Sequence, residues 1–392
     1  MKDFQRMLLF ILLFGTMLLF GMIENIKGIS YPLIREEFSA SWEQIGLMVS
    51  ILSIAYTSFT ILAGIFLGRF GIKPSFLLGY GAIFAGLIAV FFVPGFFLAV
   101  AALLLAFSGF GIFEISINAL ASRLFVKKAA LLMNLLHSFY GIGAVIGPVA
   151  AGFIAGRAGL GWRYAYFLAL PLVLALFIPA IITRFPRPEG AGNSGSLSRK
   201  GFFDALRSPL VWLMSFTLGI AVVTEMNSAN WGPMYFQDVY GLDPNTDGAT
   251  FLSTFFLVFT VSRLVCGLII ERIGYLRALL GAAFIVLAIY AAGFILGERG
   301  IFVLPALGFF VALFWPTLMA VSFVRFGKDA PVFSSAIIAI GGLVYAGMQF
   351  IVGLTNQLFG SAWGYRSSLI HAAALVVLLL LLYRKLGKPG DT

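Results

Sequence analysis

Five side chains that could do chemistry interrupt long apolar stretches: Glu24, Glu114, His137, Glu225 and Arg263. A charge in the middle of a bilayer costs roughly 2.5–3.5 kcal/mol on insertion scales, so each such residue needs a reason. Glu24 shares one helical stripe with Gly21, Asn25 and Gly28, spaced three and four apart. At about 1.5 Å per residue it stands roughly 26 Å along its segment. Either it faces a central cavity, or it pairs locally with Lys27 near the far interface. Glu114 shares a face with Ser108, Gly111 and Asn118, near mid-membrane, with no basic neighbour within two turns. It reads as a proton-carrying carboxylate or as a protonated acid bonding a neighbouring helix. His137 lies at similar depth and is either a packed, hydrogen-bonded histidine or part of a proton or solute path. Glu225, Asn227, Asn230 and Trp231 crowd one segment ahead of Gly232-Pro233. Proline supplies no N–H, so a broken or bent end is expected there, lining a cavity. Trp231 could stack on the apolar face of a sugar or sit in an aromatic belt. Trp315, Tyr345 and Gln349 are further cavity candidates. Arg263 reads as structural, two turns from Glu271 and able to snorkel toward the cytoplasmic face.

The elements that must hold these groups are membrane helices. The chain has 392 residues, 61% hydrophobic and 11% charged, against roughly 25% charged in soluble domains. Mean hydropathy is +1.02. A spanning helix needs about 20 apolar residues. Twelve such segments are predicted, at 7–33, 44–66, 75–95, 97–121, 130–155, 164–184, 209–236, 249–270, 276–296, 300–323, 332–356 and 365–383. The first is read as a span and not a cleaved signal, because no small-x-small site follows and Glu24-Asn25 stands where cleavage would fall.

The net charge of +10 comes from residues in short breaks between apolar runs, which orients helices and does not form a nucleic-acid patch. Of the 26 Lys and Arg, 19 lie at the termini or after even-numbered spans. The positive-inside bias places both termini in the cytoplasm, in an inner membrane. One cysteine, Cys266, allows no internal disulfide and no multi-cysteine metal site. No phosphate loop or nucleophile–base arrangement is evident, so an enzyme is not expected, and neither a cofactor nor a metal is implied.

Residues 185–208 are rich in Gly, Ser and Arg and read as a cytoplasmic linker. It separates an N-terminal bundle, 1–184, from a C-terminal bundle, 209–392. The halves repeat. Gly64-x3-Gly68-Arg69-x-Gly71-x-Lys73 follows the second span, and Gly267-x3-Glu271-Arg272-x-Gly274-x2-Arg277 follows the eighth, 203 residues on. Glu24 and Pro32 recur as Glu225 and Pro233, 201 residues on. Matching offsets at matching span numbers argue for a duplicated six-helix unit. The expected fold is therefore all-α, with twelve transmembrane helices in two pseudo-symmetric six-helix bundles.

The two loop motifs resemble the Gly-x3-Asp-Arg-x-Gly-Arg-Arg/Lys signature of the major facilitator superfamily. Glu271 stands for the acid in the second copy and Gly68 departs from it in the first. The resemblance implies a gating role for Arg69, Glu271 and Arg272. Within that superfamily three stretches resemble the fucose–proton symporter family and its bacterial hexose relatives: Glu24 of the first span, Glu114-x3-Asn118 of the fourth, and NLLHSFYGIGAVIGP from Asn134 through His137 and Tyr140 to Pro148. Glu225, Trp231 and Tyr235 of the seventh span fit as well. The resemblance implies Glu24 and Glu114 as the proton-coupling pair, with His137 beside them. Solute contacts would come from Asn25, Asn118, Asn134 and Tyr140 in one half and from Glu225, Asn227, Asn230 and Trp231 in the other.

The functional reading is a monomeric transporter working by alternating access, coupling protons to symport of a sugar or similar small polar solute. The rival is a proton antiporter exporting drugs or amphipathic lipids. Gly143-x3-Gly147-Pro148-x3-Gly152 resembles the glycine-rich motif of such antiporters, and that rival predicts a mostly apolar cavity.

Overall fold

A computed structural model of the chain describes residues 3–125, 129–186 and 199–386. Twelve helices are long and apolar enough to cross a membrane. They are α1 (Phe4–Glu37), α2 (Trp42–Phe70), α3 (Ile72–Phe92), α4 (Phe96–Leu124), α5 (Leu135–Arg157), α6 (Trp162–Ile182), α7 (Pro209–Tyr240), α8 (Pro244–Cys266), α9 (Tyr275–Ile295), α10 (Gly297–Phe326), α11 (Val332–Phe359) and α12 (Ser361–Leu386). Each matches an expected span to within a few residues. Lipid offers the backbone no hydrogen-bond partners, so an apolar run of this length must satisfy its own as helix. Ser41 and Gln44 close a reciprocal cap that starts α2. Of the expected linker, residues 187–198 lie outside the described residues, and a short helix, Arg199–Leu206, leads into α7.

The packing repeats with a shift of six helices. In the first half α1 lies on α5, α2 on α4 and α3 on α6; in the second α7 lies on α11, α8 on α10 and α9 on α12. Between the halves α2 packs on α11 and α5 on α8, a symmetric pair, while α1 meets α7. The loop motifs repeat in detail. Gly71 (φ 89°) and Gly274 (φ 91°) each end a helix in the left-handed half of backbone space, and each donates its N–H to a carbonyl four residues back, Leu67 and Ile270, at 2.9 Å. An L side chain would be strained at either position.

Of the broken or bent end expected in the seventh span, the break is not found: α7 runs unbroken through Pro233. The proline leaves the carbonyl of Ala229 without its helical donor, and Gly28 of α1 packs its backbone against that oxygen. A Cβ at Gly28 would come within 2.4 Å of it. Only a glycine permits this approach, where a Cα–H can face the oxygen. Gly28 and Ala229 are related by the same 201-residue offset, so α1 and α7 cross at equivalent positions. Interruptions fall elsewhere: α10 passes through short turns before restarting as Phe314–Phe326, and α6 and α12 are broken near their starts, after Phe167 and Arg366.

Among the described residues the contacts that seal the halves gather at one end. An even number of crossings leaves both termini at the same end, and the seal is at the opposite, far end. There the Trp42 N–H donates to Gln357 Oε1 at 3.2 Å, the Ser50 hydroxyl to the Ala346 carbonyl at 2.6 Å, and Arg35 pairs with Asp238 at 3.7 Å. Gly46 of α2 rests on Gly353 of α11, and Gly152 of α5 rests on Asn245 and Ala249 at the start of α8. The stripe of α2 that touches α11 continues to Gly64 and Gly68, where an added Cβ would meet nothing within 4 Å. The seam is closed from Trp42 to Thr57 and parted beyond, so the cleft opens toward the end that carries the termini.

Candidate functional site

The site forms where α1, α4 and α5 of the first half face α7, α8 and α11 of the second. Gly21 sets its first contact. It lets α5 approach so closely that a Cβ there would overlap the Tyr140 carbonyl. The Tyr140 hydroxyl then reaches α1 and donates to Glu24 Oε2 at 2.6 Å. The other carboxylate oxygen takes a hydrogen bond from Lys27 Nζ at 3.3 Å. Asn25 donates to the Gly21 carbonyl at 2.8 Å and more weakly to the Tyr140 hydroxyl at 3.4 Å.

Lys27 departs from expectation. It is not a flanking charge near the far interface. Its residue is 5% exposed, it stands 5.6 Å from the Phe107 ring, and it lies within electrostatic reach of Tyr345 and Glu225 in the other half. The local pair with Glu24 and a position facing the centre are thus both realised.

The second carboxylate is half-buried. The Tyr56 hydroxyl of α2 donates to Glu114 Oε2 at 3.1 Å, and Asn118 donates back to the Glu114 carbonyl at 2.6 Å. Glu24 and Arg263 are both within electrostatic reach of Glu114. Arg263 also reaches Glu225 and His137, and its guanidinium lies over the Phe259 ring at 4.5 Å. It therefore belongs with the central charges of the site. His137 continues the face of α5 on which Gly141 meets Thr260 of α8, just where the seam begins to part.

In the second half an amide chain is fixed by one donor-only group. Trp231 Nε1 donates to Gln349 Oε1 at 2.7 Å, which orients the Gln349 amide so that Nε2 donates to Asn227 Oδ1 at 3.0 Å. Asn227 Nδ2 then donates to Ser368 at 3.1 Å and to His371 Nδ1 at 3.3 Å. Asn230 Nδ2 donates to Tyr345 at 3.0 Å and to Gln349 Oε1 at 3.2 Å. Trp231 is fully buried beside Trp42, 6.3 Å away, so it is neither in an aromatic belt nor open to the cleft. Replacing Gln349 by Leu removes partners from Trp231, Asn227 and Asn230 together. Each buried group left unmet costs roughly 1–3 kcal/mol. The purified variant is expected to melt clearly below wild type in detergent, and an unchanged melting temperature would show that the chain holds nothing.

Among the other expected site residues, Trp315 sits at the restart of α10, over a third exposed, apart from this network. Arg69 and Arg272 are exposed at the open end, with Arg69 stacked 5.3 Å from the Phe70 ring. The side chains of Asn134 and Glu271 lie outside the described residues. Sequence reasoning missed four participants. Tyr56 and the Arg35–Asp238 pair give no local signal, because their partners are distant in sequence. His371 did give one, as a histidine inside the last apolar run. A groove lined by Phe92, Pro94 and Leu98 is apolar and far from these groups, as a lipid-covered surface is.

Two six-helix bundles related by a pseudo-two-fold over a central polar site define a membrane transporter fold. The chain belongs to the Major Facilitator Superfamily, whose profile matches residues 12–342. It is 22% identical over 384 residues to the Bypass of stop codon protein 6 of Saccharomyces cerevisiae, covering 87% of this chain and 75% of that protein. It is 22% identical over 381 residues to the L-fucose-proton symporter of Escherichia coli, covering 87% and 86%. The solved structure of the nucleoside transporter NupG shares the fold, with a TM-score of 0.79 at 14% identity over 97% of this chain and all of that one.

Proposed function

We propose that the protein is a proton-coupled symporter of a sugar or similar small polar solute, acting as a monomer in the inner membrane with both termini in the cytoplasm. Residues 1–184 and 209–392 are the rocking halves and 185–208 joins them. The observation that carries the reading is the pairing of two hydroxyl-anchored carboxylates, Glu24 with Tyr140 and Glu114 with Tyr56, in the half that faces the amide chain of Asn227, Asn230 and Gln349. A carboxylate opened to one solvent and then the other can load and release a proton. The hydroxyl donors hold it in place in either protonation state. Solute and proton then bias the same two-state equilibrium through their different affinities for its ends. The likeness to the L-fucose-proton symporter supports the sugar and proton parts of the reading.

A drug or lipid exporter called for a mostly apolar cavity. The groups at this centre are Glu24, Lys27, Glu114, Asn230 and Arg263, which favours a polar solute. The test is uptake into proteoliposomes. Accumulation of a bound solute is expected when the lumen is made alkaline relative to the medium, and a protonophore should abolish it. Accumulation that ignores the pH gradient would refute proton symport.

A further inference from the structure

Lys27 is the group that the symport reading leaves unused. A buried ammonium is costly unless paired, and a lone ion pair in low dielectric repays little of its desolvation. Lys27 is held by one hydrogen bond, to Glu24, at a lengthy 3.3 Å. Glu24 has a shorter bond of its own, 2.6 Å from Tyr140, so it keeps an anchor if Lys27 turns away. An ammonium has three N–H donors, and a carboxylate is their strongest partner.

A second observation comes from two amides. Asn25 Oδ1 and Asn230 Oδ1 are buried without a hydrogen-bond partner among the described residues. Both orientations are fixed: Asn25 must donate to the Gly21 carbonyl, and Asn230 must donate to a Gln349 oxygen already pinned by Trp231. Buried acceptors of this kind are rare in folded proteins. One belongs to each half, Asn25 two residues from Lys27 and Asn230 bonded to Tyr345, which is within electrostatic reach of Lys27. The centre thus offers two acceptors awaiting donors beside the Lys27 ammonium, with the Arg263 guanidinium, whose Nε is also without a partner among the described residues, as its second cation.

We propose that the solute is a hydroxylated monocarboxylate, bound through its carboxylate to Lys27 and through its hydroxyls to Asn25 and Asn230. This rests on the symport reading and names its substrate class. The incoming carboxylate takes the place of Glu24 on Lys27. Glu24, left facing Tyr140, binds one proton that reaches it through Glu114, so its carboxylate becomes a carboxylic acid while Glu114 and the Lys27 ammonium end unchanged. One anion and one proton enter together, and the charge of the site stays constant. The other titratable groups within electrostatic reach of Glu24 or Lys27 are Tyr31, Tyr56, Glu114, Tyr140, Glu225 and Tyr345; Arg263 has Glu114, Glu225 and His137 within reach. A neutral sugar would leave Glu24 on Lys27 and give no reason for a proton to follow. A small anion without hydroxyls would leave both asparagine acceptors unmet.

The test is thermal stabilisation of the purified full-length protein by D-gluconate, D-glucuronate or L-lactate, against D-glucose and propionate at equal concentration. At least one hydroxylated carboxylate should raise the melting temperature by a few degrees through mass action, with neither control doing so. The shift should vanish in Lys27→Met and survive in Lys27→Arg. Because Lys27→Met leaves Glu24 without its cation, the double variant E24Q/K27M serves as the folded control and should also lose the shift. Stabilisation by D-glucose to the same degree, a shift that persists in E24Q/K27M, or no shift with any of the three carboxylates overturns the assignment. The stabilising compound is then tested in proteoliposomes, where its pH-driven accumulation should not respond to a potential clamped with valinomycin and potassium. Binding with no pH-driven accumulation would sink the symport reading and leave the substrate class standing.

Discussion

Glu114→Gln is expected to abolish solute accumulation against a gradient in proteoliposomes while solute exchange across the membrane persists. Glutamine copies the neutral acid in shape and can still accept the Tyr56 hydroxyl now bonded to Glu114 Oε2 at 3.1 Å. The fold is therefore spared. What is lost is the ability to exist in two charge states, and with it the link between the proton gradient and the equilibrium of the two halves. A one-to-one symporter accumulates solute about tenfold for each pH unit, since tenfold in concentration corresponds to about 1.4 kcal/mol. That whole factor should disappear. Exchange of labelled for unlabelled solute needs only the rocking motion and should remain. If Glu114→Gln accumulates solute like wild type, Glu114 carries no coupling proton and is a packing acid. The same pair of assays on Tyr56→Phe separates placement of the carboxylate from its titration, because that variant can still bind a proton but lacks the anchor.

Gly353→Leu should shift the protein out of the far-closed state described here. A Cβ at this position would stand 2.6 Å from the Gly46 Cα and 2.7 Å from the Trp42 carbonyl, where non-bonded carbons settle at about 3.5–4.0 Å. Backbone has no rotamer with which to yield, so α2 and α11 must separate at the seal. Overpacking of this kind costs roughly 1–3 kcal/mol, which amounts to a tenfold or greater change in the ratio of states at its upper half. The readout is a cysteine at Ser50, buried in that seam, on a background where the buried Cys266 is replaced by serine. An impermeant maleimide added on the far side should label it faster in Gly353→Leu than in the parent. Gly64→Leu supplies the opposite case. Gly64 touches nothing now but lies on the stripe that must meet α11 once the other end closes. Bulk there should hold the far end shut and slow the labelling. Equal rates in all three proteins would show that these glycines do not set the balance.

The sequence carried the fold to near completion, and the reason is the solvent. In lipid the backbone must satisfy itself within each segment, so length and hydropathy alone locate the helices, and α1 to α12 fall where the apolar runs lie. The duplication was legible too, since Gly71 and Gly274 must both take positive φ and glycine serves that conformation without strain. Local rules left Pro233 open between a broken and a bent end. The helix stays unbroken, and the freed Ala229 carbonyl is met by the backbone at Gly28, a contact made across the two halves. Breaks fall instead in α6, α10 and α12.

At the site, the acids were legible because a charge inside an apolar run stands out by itself. Glu24, Glu114 and Glu225 needed no partner to be noticed. Their partners were another matter. Tyr140 bonds a residue 116 positions away and Tyr56 one 58 away, so no spacing rule could join them. Lys27 shows the division most plainly. Its sequence position three residues after Glu24 fixed the pairing, because i and i+3 share a helix face. Whether that pair looked outward to the interface or inward to the other half depended on which face of α1 the bundle buries. Amphipathicity within lipid is too weak to declare that face, because the lipid-exposed side is as apolar as the core. Only the packing of α1 against α5 and α7 settles it, and that packing turned a flanking lysine into a central one.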